Sequence, residues 1–278
     1  KLNYWAHHRF DCSAMSDTPT PLLSPFICAG GANLAEPAVL PFLGGTAVAW
    51  CCGSPTKHKV NADALGVIPW GSDLGVLAVS DGIGGLPHAP EASARVIGRL
   101  AQPLAAGEAD PVQSRIMDIN QTMCRENYQG GATISAVLLE GLHCSSCHVG
   151  DSMLVVVDRR GRVKFRTDPH SPVGDAVAHG QLSEQAAMRH PQRHVVNNSV
   201  GSRAMWVETH QSFALDASDT LVIASDGLWD NLPVSEVVQM VVDGDLGEVG
   251  HNLAAAVSQR MAGAEPGMPS KPDDLSFI

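Results

Sequence analysis

Six aspartates stand where apolar runs begin, end or turn: Asp63, Asp81, Asp151, Asp226, Asp273 and Asp274. Asp81 closes the run Gly75-Val76-Leu77-Ala78-Val79-Ser80 and is followed by Gly82-Ile83-Gly84-Gly85. A carboxylate at the end of a buried strand, beside backbone that turns sharply and approaches other atoms closely, suits a metal or a phosphate. Asp-Gly alone is a common turn dipeptide and carries little by itself. An echo adds weight, because Leu221-Val222-Ile223-Ala224-Ser225-Asp226-Gly227 ends a second apolar run on the same Ser-Asp-Gly. Hard cations such as Mg²⁺ or Mn²⁺ take carboxylate, carbonyl and water oxygens. Several carboxylates brought into one cleft would repel each other unless cations lay between them.

The elements that must position these acids follow from the hydrophobic pattern. Strands are expected over 45–53, 60–68 and 75–81. Ser93, Val96 or Ile97, Leu100 and Leu104 then fall on one helical face, and Val112, Ile116, Ile119 and Met123 form a second stripe. Four short β-type runs, at 132–140, 142–149, 153–158 and 163–166, have the rhythm of an antiparallel meander. The polar stretch 167–203 holds at most one helix, near Ser183 to His190, and its length favours a functional flap. Strands at 205–213 and 220–224 follow. Ser235 is expected to cap a helix through Val241, and Leu253, Ala254, Val257 and Met261 line another. The order argues α+β with antiparallel sheets. Residues 1–43 read as a mostly irregular N-terminal extension, with Trp5 and Phe10 as its anchors, and 44–278 as one domain.

Composition narrows the function. A formal charge of −11 argues against a nucleic-acid partner. No run reaches the length of a membrane-spanning helix. Seven cysteines without framework spacing point to reduced thiols and a cytoplasmic setting. The chain opens on Lys1 and stops at Ile278 inside an apparent strand, so it reads as a fragment.

Taken together, Ala78-Val79-Ser80-Asp81-Gly82-Ile83-Gly84-Gly85 resembles the Asp-Gly-x-Gly-Gly signature of the metal-dependent type-2C serine/threonine protein phosphatases in their bacterial form. The match continues in order through Gly130-Gly131-Ala132-Thr133, Val149-Gly150-Asp151-Ser152, Asp168-Pro169-His170-Ser171 and His190-Pro191-Gln192-Arg193. It ends with Ile223-Ala224-Ser225-Asp226-Gly227-Leu228-Trp229-Asp230 and Asp273-Asp274-Leu275-Ser276. Several collinear motifs are far more specific than one.

The resemblance implies a four-layer α-β-β-α sandwich, two central antiparallel sheets flanked by helices, with two Mn²⁺ or Mg²⁺ ions at one edge. Asp81 would bridge both ions and the Gly82 carbonyl would bind the second. Asp226 and Asp273 would complete the first ion's site. Asp63 would hold metal-bound water, and Asp151 matches a position that helps hold a third, weaker ion. Two cations about 3.5–4 Å apart acidify a bridging water, and the hydroxide would attack phosphorus in line, with Asp81 and Asp226 catalytic through the metals. No covalent phosphoenzyme is implied, in keeping with the lack of a Cys-x5-Arg motif. The implied partners are a phosphoprotein substrate and a cognate Ser/Thr kinase or its targets; a monomer is expected.

Three positions depart from the family pattern. His58 stands where an arginine usually grips the phosphate, and it cannot make a bidentate fork, which leaves Lys57 and Lys59 as substitutes. Ala62 replaces a common Glu or Gln at the second metal, and Ile83 stands where the eukaryotic branch often has a histidine. His58 and Ala62 motivate a rival expectation, a weakly active or inactive member that binds phosphoproteins or a kinase. Two other patterns are read as decoys. Cys144-Ser145-Ser146-Cys147-His148 matches a haem-attachment motif but lies within an alternating strand. Cys51 and Cys52 are strand neighbours that must face opposite ways.

Overall fold

The computed structural model describes residues 24–57 and 59–278. Trp5, Phe10 and His58 lie outside them. The chain first lays down strands β1 (Phe26–Cys28), β2 (Ala38–Phe42), β3 (Gly45–Cys52), β4 (Asp63–Pro69) and β5 (Leu74–Asp81). Helices α1 (Ala89–Leu100) and α2 (Pro111–Arg125) lead to β6 (Ile134–Glu140), β7 (His143–Val149), β8 (Met153–Val157) and β9 (Val163–Arg166). Short helices α3 (Pro172–Ala178) and α4 (Glu184–Ala187) precede β10 (Glu208–Ala214) and β11 (Thr220–Ala224). The last elements are α5 (Asp226–Trp229), α6 (Val234–Val241), α7 (Leu246–Met261) and β12 (Leu275–Phe277).

The strands form two antiparallel six-stranded sheets, ordered β1-β4-β5-β6-β7-β10 and β2-β3-β12-β11-β8-β9. Leu65, Val67, Leu77 and Val79 of the first sheet meet Ala49, Cys51, Leu154, Val156 and Ile223 of the second in a core between the sheets. The alternate residues Ala64, Ile68, Val76 and Ala78 pack outward under Val96, Ile97, Ile116 and Met123 of α1 and α2. On the far side Val155, Val157 and Val222 face Val237, Val241, Leu253 and Val257 of α6 and α7. The α-β-β-α sandwich is therefore present. It also explains the unbroken apolar runs, since the central strands are covered on both faces and need no polar side.

Five local expectations change, the last being the single helix expected in 167–203, where there are two. The stretch through residue 43 is not irregular where it is described: β1 pairs with β4, and β2 forms a hairpin with β3. Pro41 is tolerated within β2 because that strand is a sheet edge, where the N–H that proline lacks is not needed for the ladder. The four β-type runs are not one meander. β6 and β7 pair in one sheet, whereas β8 and β9 pair in the other, so the chain changes sheets at Gly150-Asp151. Gly150, at φ +100°, makes that turn, and every residue of β8 is buried. Helix α1 stops at Leu100, three residues before Pro103, so Leu104 is outside it. Helix α6 begins one residue before Ser235, with Pro233 at its N-cap.

Segment 167–203 carries α4 near its expected place, N-capped by Ser183, and also α3, capped by the Ser171 side chain accepting from Gly174 N at 2.9 Å. Among the described residues no helix is long and apolar enough to cross a membrane.

Candidate metal centre

The register of β4 and β5 places Asp63 opposite Asp81, so the first of two strands opens on one acid and the next closes on the other. Asp226 begins α5 directly after β11, and Asp273 and Asp274 lead into β12. Because β12 runs antiparallel between β3 and β11, its start lies beside the end of β11. Asp151 sits in the turn where the chain changes sheets. All six acids thus come from strand ends at one edge of the sandwich.

Hydrogen bonds lock this edge. Ser225 Oγ donates to Asp63 Oδ2 at 2.7 Å and ties the ends of the two sheets together. The Asp274 carboxylate accepts from Ser54 N at 2.7 Å and Ala62 N at 2.8 Å. Asp81 N donates to Thr133 Oγ1 at 3.0 Å, and that hydroxyl lies 2.7 Å from Ser152 Oγ beside Asp151. Gly82 is pressed closely, since a Cβ there would lie 2.3 Å from the Ala89 carbonyl oxygen.

The electrostatics match the prediction of mutual repulsion. Desolvation, then Asp63, Asp226, Asp151 and Asp273, hold Asp81 well above the ordinary carboxylate range. Desolvation, with Cys51, Asp274 and Asp226, does the same to Asp63 against the opposing bond from Ser225. Asp151 is pushed up to about 8 by burial and Asp226, with Lys271 opposing. Asp63 Oδ1 and Asp151 Oδ1 are buried without a hydrogen-bond partner. Orphaned carboxylate oxygens in an all-oxygen donor set fit hard divalent cations.

A stability prediction follows, with its sign set by linkage. Each of these acids has a folded pKa above its unfolded one, so its contribution is most favourable below the ordinary value of 3.8 and is lost as the pH rises through the raised folded value, which for Asp151 is about 8. Metal-free protein should therefore melt at least roughly 5 °C lower at pH 8 than at pH 5, a shift of about 2 kcal/mol for a domain of this size. Adding Mn²⁺ at pH 8 should reverse it. Calorimetric melts at the two pH values, with and without Mn²⁺, check this.

Three cationic side chains were expected near the phosphate. Lys57 reaches the site and pairs with Asp273 Oδ1. Lys59 is exposed and makes no ion pair among the described residues. His58 is outside the described residues. The reading from sequence missed Lys271, whose Nζ donates to Asp226 and, at 2.6 Å, to Asp230 Oδ2. Its position two residues before Asp273-Asp274 was the available signal. Beside these acids a pocket faces the flap, lined by Asp168, Arg166, Arg193, Met188 and Trp229 among others.

A second group of titratable residues, also missed, joins β7, β10 and the start of the flap. His148, Glu208 and His210 lie close enough to share an ion. Most of their polar atoms have protein partners, within the group or beside it, while His148 Nδ1 is buried without one. His170 Nδ1 accepts from Gly150 N and Asn198 Nδ2, so its Nε2 donates to Glu208 Oε2 at 2.9 Å. His148 Nε2 donates to the Asp168 carbonyl at 3.0 Å, and His210 Nδ1 meets Ser146 Oγ at 3.2 Å. The group is a clamp that holds the root of the flap on β7 and β10. The haem-like motif is disposed of in the same strand, since Cys144 packs between the sheets and Cys147 packs against the outer helical layer.

The model of the family described as Protein phosphatase 2C matches residues 56–244, which spans both Ser-Asp-Gly strands and the flap. The chain belongs to this family. Among relatives in the protein phosphatase 2C family, a Streptococcus pyogenes protein named as a protein phosphatase 2C-type is 34% identical over 128 residues, 46% of this chain and 50% of that protein. A Listeria monocytogenes serine/threonine phosphatase, stp, is 24% identical over 195 residues, 65% of this chain and 77% of its own. The match spans only about half the length of the Streptococcus relatives. Among solved structures, the serine/threonine phosphatase Stp1 of Staphylococcus aureus superposes with a TM-score of 0.69 at 24% identity, over 82% of this chain and 92% of that one. This likeness bears on the fold.

Proposed function

We propose that this chain is a metal-dependent protein phosphatase that removes phosphate from phosphoserine and phosphothreonine in proteins. One observation carries the reading: carboxylates from five separate strand ends converge where two of them, Asp63 and Asp151, keep buried oxygens without partners. Two Mn²⁺ or Mg²⁺ ions would be held by Asp81, the Gly82 carbonyl, Asp226 and Asp273, with Asp63 beside them and Asp151 available to a third. When bound, such ions supply Lewis acidity, polarising phosphoryl oxygen and acidifying water so that hydroxide is available near neutral pH.

The chain's own residues do the rest. Ser225 holds Asp63 through one oxygen, which leaves the other as an acceptor to orient the attacking water. Lys57, drawn to Asp273 and half exposed, would be the cation that meets a substrate phosphate. Arg166 and Arg193, with Met188 and Trp229, line the pocket that would receive the peptide beside the phosphoresidue. The catalytic unit is residues 44–278, to which β1 and β2 add edge strands. Its substrates would be targets of a cognate kinase, met by a monomer in the cytoplasm, a compartment that suits the free cysteines among the described residues.

The test is turnover of an aryl phosphate in Mn²⁺, in Mg²⁺ and in excess chelator. Either metal should support hydrolysis, and chelator should reduce it at least about 100-fold, the loss of some 2.7 kcal/mol of transition-state stabilisation. Undiminished turnover in chelator would remove the metal from the account.

A further inference from the structure

Lys271 has no part in the hydrolysis proposed above, yet it is the most heavily engaged cation in the centre. Its Nζ donates to Asp226 Oδ2 and Asp230 Oδ2 and lies 3.3 Å from Asp273 Oδ2, with the side chain only 13% exposed. Asp226 and Asp273 are the two side chains assigned to the first ion. The residue is held at its backbone as well. The side chain of the buried Asn231 accepts from Lys271 N at 2.8 Å and donates to Lys271 O at 2.9 Å. The same amide donates to Gly227 O at 2.9 Å, inside the helix that presents Asp226. A surface lysine loses rotamer entropy when fixed by a charge pair. Here the backbone is already placed, and burial strengthens the attraction.

We propose that Lys271 is an internal competitor for the first divalent cation. Its ammonium neutralises Asp226, Asp230 and Asp273 in the metal-free chain and must leave them before the cation binds. This rests on the reading of Asp226 and Asp273 as metal ligands. A divalent ion carries twice the charge and approaches carboxylate oxygen to about 2.0–2.2 Å, closer than an ammonium can, so it prevails once its concentration is high enough. The lysine thus sets a concentration threshold for loading, and it protects the metal-free fold from its own carboxylates. A purely structural ion pair would do the second and not the first.

Calorimetric titration of Mn²⁺ into metal-stripped wild type, Lys271→Met and Lys271→Arg separates these roles. Lys271→Met should bind its first Mn²⁺ at least about tenfold more tightly, or 1.4 kcal/mol, while Lys271→Arg, which keeps the charge, stays near wild type. In thermal melts the metal-free Lys271→Met protein should unfold earlier than wild type and gain more from Mn²⁺. Equal or weaker Mn²⁺ binding by folded Lys271→Met would overturn the proposal. Should Met not fold at this position, Lys271→Gln is subject to the same comparison. If neither wild type nor the neutral variant binds Mn²⁺, the metal reading itself falls, and the competitor with it.

Discussion

Replacing Asp81 by Asn should abolish metal-dependent phosphate hydrolysis and, in the same protein, raise the melting temperature of the metal-free form. The two effects have one cause. Asp81 lies at the end of β5 opposite Asp63, and its carboxylate is disfavoured by desolvation and by Asp63, Asp226, Asp151 and Asp273. Asn keeps the shape and removes the charge, so the repulsion falls while the Asp81 backbone bond to Thr133 Oγ1 is untouched. A rise of roughly 3–6 °C is expected, the scale of about 1–2 kcal/mol in a domain of this size. Loss of a carboxylate that would hold the ions should cost at least about 10³ in turnover, or some 4 kcal/mol. Such an exchange of stability for activity marks a residue kept for function. An inactive variant with a lower melting temperature would instead mean that Asp81 supports the fold. Measuring both quantities on one preparation decides between them.

The second large effect is expected at Gly227. A Cβ there would lie 1.9 Å from the Asp274 carbonyl oxygen, which neither backbone can yield without moving the start of β12 away from α5. The contact links an acid that follows β11 to one that precedes β12, Asp226 beside the glycine and Asp273 beside the carbonyl. Gly227→Ala should cost about 3 kcal/mol, the upper range for an overpacked core. At this chain length that is a drop of roughly 6–12 °C. Mn²⁺ binding should weaken along with stability, because the displaced strand carries Asp273. A variant that melts with wild type and binds Mn²⁺ normally would show that the acids are positioned independently of this contact. Gly227 therefore serves close approach rather than a turn, which is why a simple Ser-Asp-Gly turn explains it poorly.

Much of the centre was legible before any coordinates because its acids are punctuated. Asp81 and Asp226 each end an apolar run and precede a glycine, and strand ends of antiparallel sheets gather at shared edges. The pairing of Asp63 with Asp81 follows from two adjacent strands joined by a short turn. Other features depend on contacts between residues distant in the chain. Lys271 meets Asp226 across 45 positions, and nothing local marks it as buried. The change of sheet at Gly150-Asp151 was hidden because β8 has the same apolar character whether it continues a meander or starts a new sheet. The choice is made by packing, since β8 pairs with β11 and covers α6 and α7. Short edge strands β1 and β2 carry too few residues for a period-two pattern to show. The clamp of His148, His170 and Glu208 joins three stretches, none of which stands out alone.

Calorimetric titration of Mn²⁺ into the metal-stripped chain decides whether this carboxylate edge is a site for divalent cations. Two Mn²⁺ should bind per chain, with heat that disappears in Asp81→Asn. Absence of binding by wild type, or binding that survives unchanged in Asp81→Asn, would contradict that assignment.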